Sequence, residues 1–150
     1  MKEREEIKMI SVHAVGRLTK NVELRYGGEQ NRAVAVFYLA CKRRAKEDKA
    51  TFIRCVAFDK AAEILSQYTC KGAMLEVTGE LIEESYLDQS NISRKYMQVI
   101  VDKFEMLESK ETMEKRKQAN NSKNYDYREA TTYEQPPIDG MSEFGYLENR

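Results

Sequence analysis

The stretch from Thr51 to Gly72 reads TFIRCVAFDKAAEILSQYTCKG, a strand running straight into a helix, and the rest of the chain is organised around it. Residues two apart on a strand share a face. Phe52, Arg54, Val56 and Phe58 therefore form one row, and Ile53, Cys55 and Ala57 the other. The second row is small and apolar and suits an interior. The first offers two rings and a guanidinium to the outside. Asp59 follows as an N-cap. Ala61, Ile64, Leu65 and Tyr68 then recur at spacings of three and four, giving the helix one apolar face before Gly72 closes it.

Upstream, Ile7 to Leu18 reads as a first strand, with Gly16 marking a bend or bulge, and Tyr26-Gly27-Gly28-Glu29 as a turn. Ala33 to Cys41 (AVAVFYLAC) is a second strand, followed by the charged loop KRRAKEDK. Downstream, Met74 to Ile82 and Tyr96 to Leu107 supply two more strands, joined through SYLDQSNIS. Three strands, one helix and two strands is the order of an oligonucleotide-binding (OB) fold, a five-stranded Greek-key barrel, so the expected class is all-β with one helix.

From Ser109 the text turns polar and loses any sustained period, which divides the chain into a folded body over 1–108 and a disordered, flexible tail over 109–150. The 25 basic and 25 acidic residues cancel, so any nucleic-acid face must be local. Cys41, Cys55 and Cys70 are odd in number and form no C-x-x-C pair. With a single histidine, they argue against a disulfide framework and a metal site, and the expected location is the cytoplasm, associated with the nucleoid. No cofactor is expected. Neither a secretory leader nor a membrane-spanning run is visible, and no phosphate-binding glycine loop occurs.

An outward Phe-x-Arg-x-x-x-Phe row has a chemical use. Unpaired bases present flat π faces to aromatic rings while arginine neutralises phosphate or stacks, and neither interaction reads sequence. Ordinary core packing is the bland alternative for such rings. His13 reads as a polar strand residue. Glu80, Glu83, Glu84 and Asp88 raise a metal-dependent nuclease only to be read as solvated charge.

Four blocks then carry a resemblance to the bacterial single-stranded DNA-binding protein family over roughly Ile10 to Glu108: VHAVGRLTKNVELRY, AVAVFYLA, FIRCVAFDKAAEILSQYTCKG, and LEVTGEL through SYLDQS to VIVDKFEML. The resemblance implies a non-catalytic protein that binds and protects single-stranded DNA in replication, recombination or repair. It places Phe52, Phe58 and Tyr86 at base-stacking positions, and Arg54, Lys60 and Lys71 at basic ones. Arg17 lies in the matching Gly-Arg-Leu-Thr signature. Lys42, Arg43 and Arg44 form a further basic cluster, where some relatives carry an aromatic that aligns with Ala45. The family also implies a homotetramer and a tail that docks replication or repair proteins, for which Pro136, Pro137, Ile138, Asp139 and Phe144 hold similar ingredients.

Departures from the family pattern are the absence of tryptophan, the acidic Glu83 and Glu84 before Tyr86, and a tail ending in Arg150 rather than Pro-Phe. They motivate a second reading, an OB-fold accessory factor of a primosome, plasmid or phage that contacts proteins and binds DNA weakly.

Overall fold

The computed structural model describes residues 6, 8–44 and 49–122. Its elements are β1 (Ile10–Leu18), β2 (Glu23–Gly27), β3 (Arg32–Lys42), β4 (Ala50–Phe58), α1 (Asp59–Tyr68), β5 (Met74–Leu87), β6 (Ser93–Met106) and α2 (Lys110–Ser122). The strands form one sheet in the order β1-β5-β6-β4-β3-β2, and an added pairing of β1 with β3 closes it on itself. β1 and β2 both run antiparallel to β3, at Arg17↔Ala40 and Leu18↔Leu39 and then from Glu23↔Val36, with a two-residue shift between them. They act as two halves of one bent strand. The expected five-stranded barrel is therefore present, with β2 a further short strand that no separate apolar run announces.

Closure depends on two places where a side chain would not fit. A Cβ on Gly16 would lie 2.6 Å from the Ala40 carbonyl oxygen, and one on Gly79 2.1 Å from that of Ile100. Gly16 marks the point where β1 turns from β5 towards β3, with no break in its β5 register. The irregularity in the ladder falls instead at Thr78/Gly79. Among the described residues only β4 and β6 pair in parallel, at Cys55↔Val99 and Val56↔Ile100, and this seam completes the ring.

The interior is filled by the inward rows: Leu18, Ala35, Phe37, Leu39, Cys55, Ala57, Leu75, Val77 and Val99, with Ala62 and Leu65 of α1 plugging one end. Leu39, Leu65 and Leu75 are wholly buried, each worth about 1.5–3 kcal/mol relative to exposure.

Two local expectations are corrected. Asp59 does not cap α1: Phe58 is the capping residue, without a side-chain hydrogen bond, and Asp59 takes a φ of 56°. Its carboxylate is held by Arg32, whose Nε and Nη2 donate at 3.1 and 2.8 Å. The second correction is α2, which occupies the beginning of the segment read as a loose tail. Ser109 caps it, its Oγ accepting from the Thr112 N–H at 3.2 Å, and Met113 enters the core with 4% exposure. The Glu108 carboxylate joins the pieces, accepting from Met74 N at 2.8 Å, Arg17 Nη1 at 3.2 Å and Arg116 Nη2 at 2.5 Å. Lys117 Nζ and Asn120 Nδ2 donate to the carbonyls of Gln67 and Lys71. Residues 123–150 lie outside the described residues.

Candidate nucleic-acid interface

β4 divides as its alternation requires. Cys55 and Ala57 face the core, while Val56 joins a second, smaller cluster on the outer face with Val34 and Val36, flanked by Phe58 and Ile100. Antiparallel register aligns Phe58, Val56, Arg54 and Phe52 with Val34, Val36, Tyr38 and Ala40 of β3. The outer face thus has an apolar floor with rings around it. Phe52 is 37% exposed, and Phe58, Tyr38, Tyr86 and Tyr96 are partly buried.

Two arginines beside these rings, Arg32 and Arg54, are already engaged. The Arg32 guanidinium lies 5.0 Å from the Phe58 ring centroid and is fixed there by Asp59, whose carboxyl it holds below its ordinary pKa through that hydrogen bond. Arg54 is 4% exposed; its Nη1 donates to Gln98 Oε1, and its guanidinium carbon sits 5.2 Å from the Tyr96 ring. Tyr96 in turn meets Tyr86, with ring centroids 5.8 Å apart and planes tilted by 60°. Arg54 is therefore on the expected face but not at its surface.

Tyr86 belongs to strand rather than loop, because β5 and β6 stay paired out to Leu87↔Ser93. Asp88 builds the turn beyond: Oδ1 accepts from the Ser90 and Ile92 N–H groups, both at 2.9 Å, and Oδ2 from Arg94 Nε at 2.9 Å. The Ile92 N–H is the leading reason its carboxyl titrates below the ordinary value. Of the two acidic residues before Tyr86, Glu83 pairs with Lys95 at 3.4 Å. Glu84 lies on the ring face, opposite Tyr96 in the ladder.

The candidate basic residues fall into two groups. Lys42 continues the outward row of β3, opposite Ala50, and Arg43 and Arg44 follow it, all exposed or partly exposed; Lys60 is exposed at the start of α1 next to Phe58. Arg17 and Lys71 lie elsewhere, at the corner where β1, β5 and α2 meet. There Arg17 Nη1 donates to the Gly72 carbonyl at 3.0 Å and to Glu108, and the Lys71 N–H donates to Asn21 Oδ1 at 2.8 Å. They are at the opposite end of β5 from Tyr86. Ala45 and the tail residues Pro136, Pro137, Ile138, Asp139 and Phe144 lie outside the described residues. His13 Nε2 lies 2.6 Å from Glu76 Oε1 on the outside of β1.

Sequence reasoning missed Tyr38, Tyr96 and Arg32. Tyr38 is hidden by the apolar run around it, although it is out of phase with the buried Phe37, and Tyr96 reads in sequence simply as the start of a strand.

A barrel of this topology, with rings spread over its outer wall, narrows the comparison with known proteins. The single-strand binding protein family matches residues 9–107. The chain belongs to the single-strand binding protein family. Its relatives include a single-stranded DNA-binding protein of Clostridium perfringens, 42% identical over 101 residues that make up 67% of each chain. Single-stranded DNA-binding protein 3 of Streptococcus agalactiae is 38% identical over 114 residues, 73% of this chain and 82% of that one. Single-stranded DNA-binding protein 1 of Lactococcus lactis is 40% identical over 106 residues, 68% of this chain and 70% of that one. The family match ends at residue 107, just before α2 begins.

Proposed function

We propose that this chain binds single-stranded DNA without regard to sequence and protects it during replication, recombination or repair, and that it catalyses no reaction. The observation that carries the reading is the ring-bearing outer face of β4 and the β5–β6 hairpin, on a barrel of this family. Phe52, Phe58 and Tyr86 supply stacking surfaces, at about 1–3 kcal/mol per base. Lys42, Arg43, Arg44 and Lys60 supply charge for the phosphates. Arg17 and Lys71 are assigned a secondary part, since they stand at the opposite end of β5 from Tyr86.

The chain is proposed to act as a homotetramer, which would link several modest sites into one strong one. β1 supports this: it pairs with β3 only at Arg17 and Leu18, which leaves the preceding edge open among the described residues, and Ile10 and Val15 are exposed. A cytoplasmic, nucleoid-associated location is proposed with it; no helix among the described residues is long and apolar enough to cross a membrane. Docking of replication or repair proteins through Pro136, Pro137, Ile138, Asp139 and Phe144 is proposed on the resemblance alone.

The test is titration of an oligothymidylate with the wild type and with Phe52, Phe58 and Tyr86 all changed to alanine. Loss of the three stacking sites should weaken binding at least about a hundredfold while the circular dichroism stays that of a folded barrel. Unchanged affinity in a folded triple variant would remove the stacking assignment. Equal affinity for duplex and single strand would favour the accessory-factor reading.

A further inference from the structure

The β5–β6 hairpin reaches beyond the barrel. β5 pairs with β1 only as far as Leu81, and β6 pairs with β4 only from Val99, so Ile82–Leu87 and Ser93–Gln98 continue as a two-stranded ribbon. Such a ribbon is marginally stable and easily reoriented. Tyr86 and Tyr96 both stand on it.

Among the described residues, Arg54 is a side chain that ties this ribbon to the barrel. It precedes Cys55, the first residue of the parallel seam, and its contacts run outward in sequence: Gln98 at the root of the ribbon, then the Tyr96 ring at 5.2 Å, which packs on Tyr86 at 5.8 Å. Gln98 is itself fully buried. A planar guanidinium can donate in its plane and stack through its face at once, which an ammonium cannot.

We propose that Arg54 is a positioning residue: Tyr86 and Tyr96 form a two-ring platform for unpaired bases, and Arg54 holds that platform at a fixed angle to Phe52, while exposed basic residues neutralise phosphate. The inference rests on the single-strand-binding reading and adds Tyr96 as a base-contacting residue. Preorganisation is the source of the effect, since a ribbon free to swing must be ordered when DNA binds.

Salt dependence and conservative rescue separate this role from that of a phosphate ligand. Arg54→Met should bind an oligothymidylate about tenfold more weakly, with an unchanged slope of log affinity against log salt. Arg54→Lys should fail to restore it. In a Tyr96→Ala background neither change should cost anything further. A slope reduced by about 0.7, the value for one lost phosphate contact on a single strand, would overturn the proposal. Rescue by lysine, or losses that add to that of Tyr96→Ala, would do the same.

If circular dichroism shows Arg54→Met unfolded, Gln98→Met releases the guanidinium while keeping its charge. The expectation is again weaker binding at constant slope, and unaltered affinity overturns the proposal. A wild type that does not bind the oligonucleotide at low salt would instead refute the single-strand-binding function, and the platform with it.

Discussion

Phe52 remains 37% exposed on a strand where Ile53 is partly buried and Arg54 to Ala57 are all buried, and this contrast defines the face. Alternation along TFIRCVAF made the two rows legible, because one apolar row must enter the core. Alternation gives direction but not depth: Arg54 points outward as expected, yet neighbouring strands bring Gln98 and Tyr96 over it. Asp59 shows the same limit. Its place after a strand and before a helical pattern suggested a cap, but the sharp strand-to-helix turn puts it at a φ of 56° and delivers its carboxylate to Arg32. Asp59→Ala loses both that bond and a residue type tolerant of the left-handed region, so it should lower stability by about 1–2 kcal/mol in urea unfolding. Asp59→Gly, free of the backbone penalty, should cost less.

At the level of elements, the helix α2 was invisible because Met113 and Ala119 are the only apolar residues in KETMEKRKQANNS, too few to leave a periodicity to detect. Its docking includes the buried Met113 side chain and polar contacts to Glu108, Gln67 and Lys71. Met113→Ala should cost about 2 kcal/mol, less than full unfolding of the barrel. It should also speed modification of Cys70 by thiol reagents, since the Cys70 Sγ lies 3.7 Å from the Met113 Sδ and burial holds that thiol's pKa up. Burial would raise the Glu108 pKa, but bonds from Arg116 and the Met74 N–H, with the charges of Arg116 and Arg17, bring it below the ordinary carboxylate value. A lowered carboxyl pKa stabilises the fold above the ordinary value, and that contribution is lost as pH falls through the folded one. Urea unfolding stepped from pH 6 to about 3 should show this loss, and Glu108→Gln should flatten it. The glycines are sterner. Gly79→Ala sets a methyl 2.1 Å from a backbone oxygen and should prevent normal folding, which far-ultraviolet circular dichroism would report.

For the whole molecule, the cancelling charges mean that affinity cannot come from a global field, which is why the proposed site is a local one, on the ring-bearing wall of the barrel. Strand order and the helix between the third and fourth barrel strands were readable from the sequence, because each has its own period. The bent first strand and the parallel seam were not, since both are set by pairing between distant segments. If the open edge of β1 joins copies into a tetramer, light scattering should give a mass near 70 kDa, four times 17.5 kDa. The most direct test of the ring-bearing face is photocross-linking of an oligonucleotide carrying 5-iodouracil, with the attached residues located by mass spectrometry. Adducts at Phe52, Phe58, Tyr86 or Tyr96 are expected. Adducts confined to Tyr26 and Tyr68, which are as exposed but lie off this face, would contradict the account.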